Sequence, residues 1–153
     1  MNKNVIGIII IIIGILIVLY PIVAKILAEF NQTVAITNYK SIINNTSENE
    51  INKSKKEAGE YNNKILEEDS FMVDLSNIDF SNNNEENISY MNVLNIGEIM
   101  AYISIPKINV YLPIYHGTSY KVLEAGIGHV ENTSLPIGGK GTHAVLTGHT
   151  GLA

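Results

Sequence analysis

The stretch Thr142 to Gly151, which reads Thr-His-Ala-Val-Leu-Thr-Gly-His-Thr-Gly, carries a histidine just after a short apolar run. The run Ala144–Leu146 predicts a buried strand that supplies rigidity. His149 follows it and lies between Gly148 and Gly151, where glycine lets the backbone turn sharply and leaves space around the imidazole. The pattern therefore predicts a histidine that is presented for chemistry at the end of a strand.

Composition excludes several kinds of site. The chain has 153 residues and a formal charge of -5, and it contains no Cys, no Trp and no Arg. Without Cys these residues provide no disulfide, thiolate metal site or cysteine nucleophile. Without Arg they provide no bidentate guanidinium clamp. The acidic balance and the lack of a basic patch argue against nucleic acid as a partner.

Residues 5–24 form an apolar run of Ile, Leu and Val that contains no charge. About 20 residues at 1.5 Å each cover the roughly 30 Å of a bilayer's hydrocarbon core. A backbone in lipid must satisfy its own hydrogen bonds, so we predict a transmembrane helix in contact with membrane lipid.

The flanks of this run bear on orientation. Lys3 precedes it and Lys25 follows it, so the positive-inside signal is weak. The short tail at residues 1–4 favours a cytoplasmic amino terminus, with the remainder extracellular. A cleaved signal peptide is the alternative, but its best site, Ile26-Leu27-Ala28, lacks a small residue at the first position. We therefore predict an uncleaved, single-pass signal anchor in the cell membrane.

Residues 25–66 are predicted to form a helical stalk. Asn44–Ser47 interrupts the helical pattern, because such side chains compete for the backbone. Ser47 and Glu50 have the spacing of a capping box, which predicts a new helix from Glu48 to Leu66. Its charged composition is typical of a solvated helix.

Residues 67–96 are acidic, rich in Asn and predicted to be a loop. Three isolated aromatics lie in it: Phe71, Phe80 and Tyr90. A polar loop of this length is usually either disordered or functional, often as a lid. The alternative is an ordinary loop held by a buried ring.

From Gly97 onward the pattern is β-branched and alternating, which predicts a mainly β region with short helices. The predicted elements are strands at 100–105 and 108–112 ended by Pro106 and Pro113, a helix at 120–125 between Ser119 and Gly126, an extended segment at 128–130, and a last strand from Thr142. Several short strands suggest a sandwich or barrel. Residues 97–153 hold too few strands to close a barrel, so we expect an incomplete barrel with an open edge.

The four histidines allow two kinds of site, a metal centre or a single catalytic imidazole. On one strand His143 and His149 would be about 20 Å apart, too far to share an ion. No acidic residue has ligand spacing beside them, so the sequence predicts no metal and no cofactor. Catalysis by one histidine needs a nucleophile and a charge stabiliser, and no nucleophile-elbow pattern is present. A purely structural role for His149 therefore remains open from the residues alone.

Several short motifs in order resemble the class C, pilin-polymerising sortases. They are Ile105-Pro106-Lys107-Ile108, Leu112-Pro113-Ile114-Tyr115-His116-Gly117-Thr118, Gly126-Ile127-Gly128-His129, Ser134-Leu135-Pro136-Ile137-Gly138-Gly139 and Thr142 to His149. The resemblance runs over about residues 97–153. It implies a membrane-bound cysteine transpeptidase built on a β-barrel, on the outer face of Gram-positive cells.

The resemblance also implies a reaction and its partners. In this family a Cys attacks the Thr–Gly bond of an LPXTG-like sorting signal, and a Lys amine of a pilin subunit or a cell-wall amine resolves the acyl-enzyme. His149 matches the family's histidine, which gives a proton to the leaving amine and takes one from the incoming amine. The family's Cys and Arg come from later strands, and neither type occurs here. We therefore expect an amino-terminal, truncated portion that is inactive and folds poorly alone.

Class C sortases also carry a lid with an Asp-Pro-aromatic motif over the active site. Asp69-Ser70-Phe71 is the best match, with Asp69 and Phe71 as the lid residues and Ser70 in place of Pro. Asp79-Phe80 is the reserve candidate. The other matched histidines, His116, His129 and His143, are expected to be structural.

A non-enzymatic module is the alternative hypothesis. A membrane-tethered extracellular β-module, used for binding or as a pilus accessory, would lack Cys without any truncation. It leaves the Thr-Gly-His at 147–149 unexplained.

Overall fold

The computed structural model of the chain describes residues 3–67 and 88–149. The chain divides into two compact units, Met1–Asn31 and Gln32–Ala153. The first unit is the amino-terminal part of one long helix. The second contains the remaining helices and a small sheet.

Helix α1 (Lys3–Asn45) begins with the predicted apolar run. Over residues 5–24 its Ile, Leu and Val side chains are exposed in every direction, with Leu16, Ile17 and Val18 each more than 60% exposed. An apolar helical segment that is exposed on all sides is typical of a membrane span. By length and composition this helix is able to cross a membrane, and it is the single such helix in the described part of the chain. Pro21 lies inside it, as membrane helices tolerate.

The junction between α1 and α2 (Glu48–Glu67) is the predicted capping box. Glu50 N–H donates to Ser47 Oγ at 3.3 Å. In return Ser47 N–H donates to Glu50 Oε2 at 3.2 Å, and the Ser47 hydroxyl donates to the same oxygen at 2.7 Å. Because this exchange satisfies amides that the first helical turn leaves unpaired, α2 begins where the sequence predicts.

The prediction of a solvated α2 is wrong for one of its faces. Ala58, Asn62 and Ile65 are buried, and Ala58 belongs to the main core. The outer face carries exposed ion pairs, including Lys53–Glu57 at 3.9 Å. The sequence places Ala58, Tyr61 and Ile65 on one side of this helix, and the structure buries Ala58 and Ile65 of that side together with the polar Asn62.

Helix α3 (Ile88–Asn92) replaces part of the loop that we predicted over residues 67–96. Its Tyr90 ring is only 1% exposed and is among the largest fully buried side chains. A five-residue helix is too short to show a 3.6-residue period, so the sequence pattern does not reveal it. Tertiary packing of Tyr90 decides this element.

Four strands form one open sheet in the order β1-β2-β3-β4. They are β1 (Ala101–Ile105), β2 (Val110–His116), β3 (Ile127–His129) and β4 (Leu146–Thr147). The β1–β2 and β3–β4 pairs are antiparallel, and β2–β3 is parallel. A 3-10 turn, Pro106–Ile108, joins β1 to β2. The mainly β region with short helices is confirmed.

Helix α4 (Tyr120–Ala125) forms the crossover between the parallel strands β2 and β3. Ser119 caps it by accepting a hydrogen bond from Val122 N–H at 3.4 Å, and the helix stops at Gly126. The helix and both of its boundary residues are as predicted. A crossover this short brings β3 directly back beside β2.

Two strand boundaries differ from the prediction. Strand β2 does not end at Pro113 but continues through it to His116. Pairing with β3 begins only at Ile114, so Pro113 has a strand neighbour on one side alone, the edge-like position where proline is tolerated. The last strand does not begin at Thr142 but comprises only Leu146–Thr147.

The core lies where α2, α3 and the sheet meet. Its buried members are Ala58, Tyr90, Met100, Ile114 and Leu135. They come from five separate segments, so the core ties the helices that precede the sheet to the strands and to the loop after β3. This packing sets the frame on which β4 and His149 are placed.

Candidate active site

His149 lies two residues after the end of β4, and its side chain is exposed. Its imidazole contacts the ring of Tyr120, with the centroids 6.1 Å apart and the planes at 61°. An edge-to-face contact of this kind restricts how the imidazole orients. The structure therefore places the predicted histidine on the surface, beside an aromatic side chain of α4.

Tyr120 is a site residue that the sequence did not single out. It begins α4 directly after the capping Ser119. A hydrogen bond with the carboxylate of Glu124, one turn later, raises the pKa of the Tyr120 hydroxyl. Glu124 thus hydrogen-bonds to the hydroxyl of Tyr120, and the ring of the same tyrosine contacts His149. A Ser-Tyr pair at a helix start carries no chemical pattern, so only spatial proximity reveals this contact.

His129 is fully buried and belongs to a hydrogen-bonded network. Its Nε2–H donates to the Ser134 carbonyl at 2.9 Å, which leaves Nδ1 to accept from the Tyr90 hydroxyl at 2.9 Å. The Tyr90 oxygen in turn accepts from Gly117 N–H at 3.0 Å. Burial lowers the pKa of His129 to about 4, so the imidazole is neutral. This is the structural role that we predicted.

His116 is also held inside the fold. Its Nε2–H donates to the Val93 carbonyl at 2.8 Å, and its ring lies 5.1 Å from that of Tyr90. Burial lowers its pKa from the ordinary value. His116 therefore connects β2 to the residue that follows α3, the structural role that we predicted.

His143 is exposed, and its backbone is tied to Ser134 in both directions. His143 N–H donates to Ser134 Oγ at 3.1 Å, and its carbonyl accepts from Ser134 N–H at 3.0 Å. Since residues 142–145 are not a strand, the single-strand geometry behind our 20 Å separation from His149 does not apply. Within residues 3–67 and 88–149 no three His, Asp or Glu side chains converge as metal ligands.

The predicted lid residues, Asp69 and Phe71, lie outside the described residues, as does the reserve pair Asp79-Phe80. The family's Cys and Arg have no counterpart in the printed sequence. The chain therefore supplies an exposed imidazole with an aromatic neighbour, but no cysteine nucleophile.

Comparison with known proteins shows which proteins this chain is similar to. The sortase domain model matches residues 103–153, which begin inside β1 and include His149. No curated protein sequence gives a significant match. Solved structures, in contrast, give several matches with probability 1.00.

Three of these solved structures are class C or sortase C enzymes. Sortase C1 from Streptococcus agalactiae is 42% identical, with a TM-score of 0.61, over 75% of this chain and 56% of that one. Sortase C-1 from Streptococcus pneumoniae is 34% identical, with a TM-score of 0.61, over 76% of this chain and 57% of that one.

The third is sortase C from Clostridium perfringens, solved as an intermolecular complex with the C-terminal cell wall sorting signal motif. It is 36% identical, with a TM-score of 0.57, over 79% of this chain and 54% of that one. The chain thus spans just over half the length of these relatives. Residues 103–153 thus match the sortase domain, and class C sortases of more than 30% identity are the solved structures to which the chain is similar.

Proposed function

We propose that the chain is part of a membrane-anchored sortase that cleaves an LPXTG-like sorting signal. The acyl group passes to a Lys amine of a pilin subunit or to a cell-wall amine. The single observation that supports this most directly is the exposed His149 at the end of β4, inside the segment that matches the sortase domain. A relative crystallised with its sorting signal motif supports the substrate class.

His149 is proposed to move the proton in this reaction. It gives a proton to the amine that leaves as the peptide bond breaks, and takes one from the amine that attacks the acyl-enzyme. An exposed imidazole beside an open sheet is accessible to both amines. The nucleophilic Cys and the Arg that stabilises the oxyanion are absent from the printed sequence. We therefore expect the 153 residues alone to leave a sorting-signal peptide uncleaved.

A chimera tests this function. Residues 1–153 are joined to the remaining carboxyl-terminal part of the Clostridium perfringens sortase C, which supplies Cys and Arg. Cleavage of a fluorogenic LPXTG-type peptide, and its transfer to a lysine amine, are then measured. We expect turnover from the chimera and a loss of 100-fold or more in His149→Ala, within the typical contribution of general acid–base catalysis.

His143→Ala is the matched control, because it changes an exposed histidine of the same segment that has no proposed proton-transfer role. A folded chimera without turnover would contradict the proposed function. Full activity in His149→Ala would remove His149 from the reaction. Tight binding of the peptide without turnover would favour the non-enzymatic module.

We also propose that Asp69 and Phe71 act as a lid over this site. The support is their motif, with Ser70 in place of Pro. In the chimera, Asp69→Ala with Phe71→Ala should raise the rate of peptide cleavage at low peptide concentration, because the site opens. An unchanged or lower rate would contradict the lid.

A further inference from the structure

The segment that delivers His149 has little strand pairing. Strand β4 has two residues, paired as Gly128 with Thr147 and His129 with Leu146. The residues just before it, 142–145, are not part of a strand. Two paired residues at the edge of a sheet are too few to fix the path of the chain on either side of them. Something else must hold the segment that leads into His149.

Two buried side-chain hydroxyls accept the backbone hydrogen bonds that the carbonyls of a neighbouring strand would otherwise accept. Thr133 Oγ1 accepts from Val145 N–H at 3.2 Å, and Ser134 Oγ accepts from His143 N–H at 3.1 Å. Backbone bonds complete the pairing, with Val130 N–H donating to the Val145 carbonyl at 2.9 Å. Thr133 and Ser134 are only 4% and 2% exposed. Side-chain oxygens therefore replace strand acceptors along this segment.

The Thr133 hydroxyl is fixed in direction. It donates to the Val130 carbonyl at 2.7 Å, which turns its lone pairs toward Val145 N–H. Its oxygen also lies 3.2 Å from His129 Nε2, whose proton is shared with the Ser134 carbonyl. A threonine oriented by three partners has one position in which it accepts from Val145. Thr133 thus gives the segment one fixed acceptor at Val145, beside the bonds from Ser134 Oγ and the backbone.

This arrangement extends inward to the core. His129 Nδ1 accepts from Tyr90 Oη, so α3, β3 and the loop at 130–134 form one network. A network in which every member is satisfied is rigid, and a partly satisfied one is costly. The outer end of that network is the amide of Val145, four residues before His149.

We propose that Thr133 is a positioning residue for His149, and that its hydroxyl holds the segment through Val145 so that β4 delivers the imidazole to the Tyr120 ring. The inference rests on the proposed function, because it concerns the same histidine. It concerns geometry rather than turnover, so it can be tested on the chain as it exists.

The test uses NMR of the full chain in detergent micelles. Thr133→Val removes the hydroxyl and keeps the shape, whereas Thr133→Ser keeps the hydroxyl. Two readouts are followed: the exchange rate of the Val145 amide, and the ring-current shift of the His149 imidazole protons. Tyr120→Leu calibrates the shift that the Tyr120 ring causes.

We expect about tenfold faster exchange of the Val145 amide in Thr133→Val, since a hydrogen bond contributes about 1.4 kcal/mol at the upper end of its usual net range. The His149 shift should move to the value of Tyr120→Leu. Thr133→Ser should restore both readouts. If Thr133→Val only lowered the stability of the fold, the molecules that remain folded would show the same His149 shift as the unmodified chain.

Folding of each variant is checked by the His129 imidazole signals, which report the buried network. A folded Thr133→Val with unchanged His149 signals overturns the inference. An unprotected Val145 amide in the unmodified chain also overturns it, so the inference stays testable if every variant fails to fold. This test measures no turnover. An inactive chimera would therefore contradict the proposed function, whereas an unchanged His149 shift in Thr133→Val would contradict the positioning role of Thr133.

Discussion

At the scale of single residues, burial separates the histidines more clearly than the sequence does. His129 has both nitrogens hydrogen-bonded inside the core, while His149 is exposed at the end of β4. The same type of side chain is thus a fixed structural group in one place and a solvent-exposed group in the other. Burial lowers the pKa of His129 to about 4 and so holds it in its neutral form.

His129 should make the fold dependent on pH. Burial lowers its pKa to about 4 in the folded state, against 6.5 in the unfolded chain. Between these values the unfolded state binds more protons, so stability falls as pH falls. From pH 7 to pH 5 we expect the free energy of unfolding to drop by about 2 kcal/mol. Denaturation of the full chain in detergent micelles, followed by near-UV circular dichroism, measures this drop.

Two variants separate this effect from other groups. His129→Gln should lose most of the pH dependence, whereas the exposed His143→Gln should keep it. His116, whose pKa is also lowered by burial, contributes in the same direction and leaves a smaller slope. Equal slopes in the unmodified chain and in His129→Gln would show that His129 is not the group responsible.

At the scale of elements, α2 is attached to the sheet region by one buried amide. Asn62 Nδ2–H donates to the Leu135 carbonyl at 3.2 Å, and Leu135 N–H donates to Asn62 Oδ1 at 2.6 Å. The side chain pairs with a peptide group as another strand would. Asparagine is the short side chain that offers both a donor and an acceptor in this geometry.

Removal of this amide should loosen α2. Asn62→Ala leaves the buried Leu135 amide and carbonyl without partners, so we expect a loss of about 1–3 kcal/mol in the free energy of unfolding. Asn62→Asp should cost at least as much, because a carboxylate faces the Leu135 carbonyl. The exposed neighbour Asn63→Ala is the matched control, with a change within about 0.5 kcal/mol. Faster hydrogen exchange at the Leu135 amide localises the effect, and equal stabilities of the two Ala variants would contradict it.

Replacement of two glycines by alanine should change the stability of the chain in opposite directions. At Gly59, inside α2, an added Cβ meets no atom within 4 Å, so Gly59→Ala should stabilise the chain by about 0.5–1 kcal/mol. At Gly128 in β3 the Cβ would collide with the Gly117 carbonyl oxygen and lie 3.1 Å from Leu123 Cδ2. We expect Gly128→Ala to destabilise by about 1–3 kcal/mol. Thermal unfolding by circular dichroism compares them, and a shift of both midpoints in the same direction would refute the assignment.

At the scale of the whole molecule, the first unit is expected to hold the chain in a membrane. The apolar side chains of α1 over residues 5–24 are exposed on all sides. Deletion of residues 1–24 should therefore move the chain from carbonate-washed membranes to the soluble fraction, as followed by immunoblot. A chain with residues 5–24 scrambled but still apolar should stay in the membranes. Retention of the deleted chain in the membrane fraction would contradict the anchor.

Elements whose cause is local can be predicted from the amino-acid sequence alone. Twenty apolar residues predict the membrane-type helix, Ser47 and Glu50 predict the start of α2, and Ser119 and Gly126 predict both ends of α4. Each depends either on contacts within one helical turn or on hydropathy, and both can be read from residues that are close together in the sequence. The motifs that resemble sortases also identified the family and His149 as the candidate, although the position of the lid pair remains a prediction.

Other features of the fold depend on contacts between distant parts of the chain. Helix α3, the buried face of α2, the passage of β2 through Pro113 and the two-residue β4 all depend on partners distant in the chain. So do the contact of Tyr120 with His149 and the hold of Thr133 on Val145. The physical reason is that these features satisfy buried polar groups or fill the core across long separations, and such pairings leave no periodic trace in the sequence.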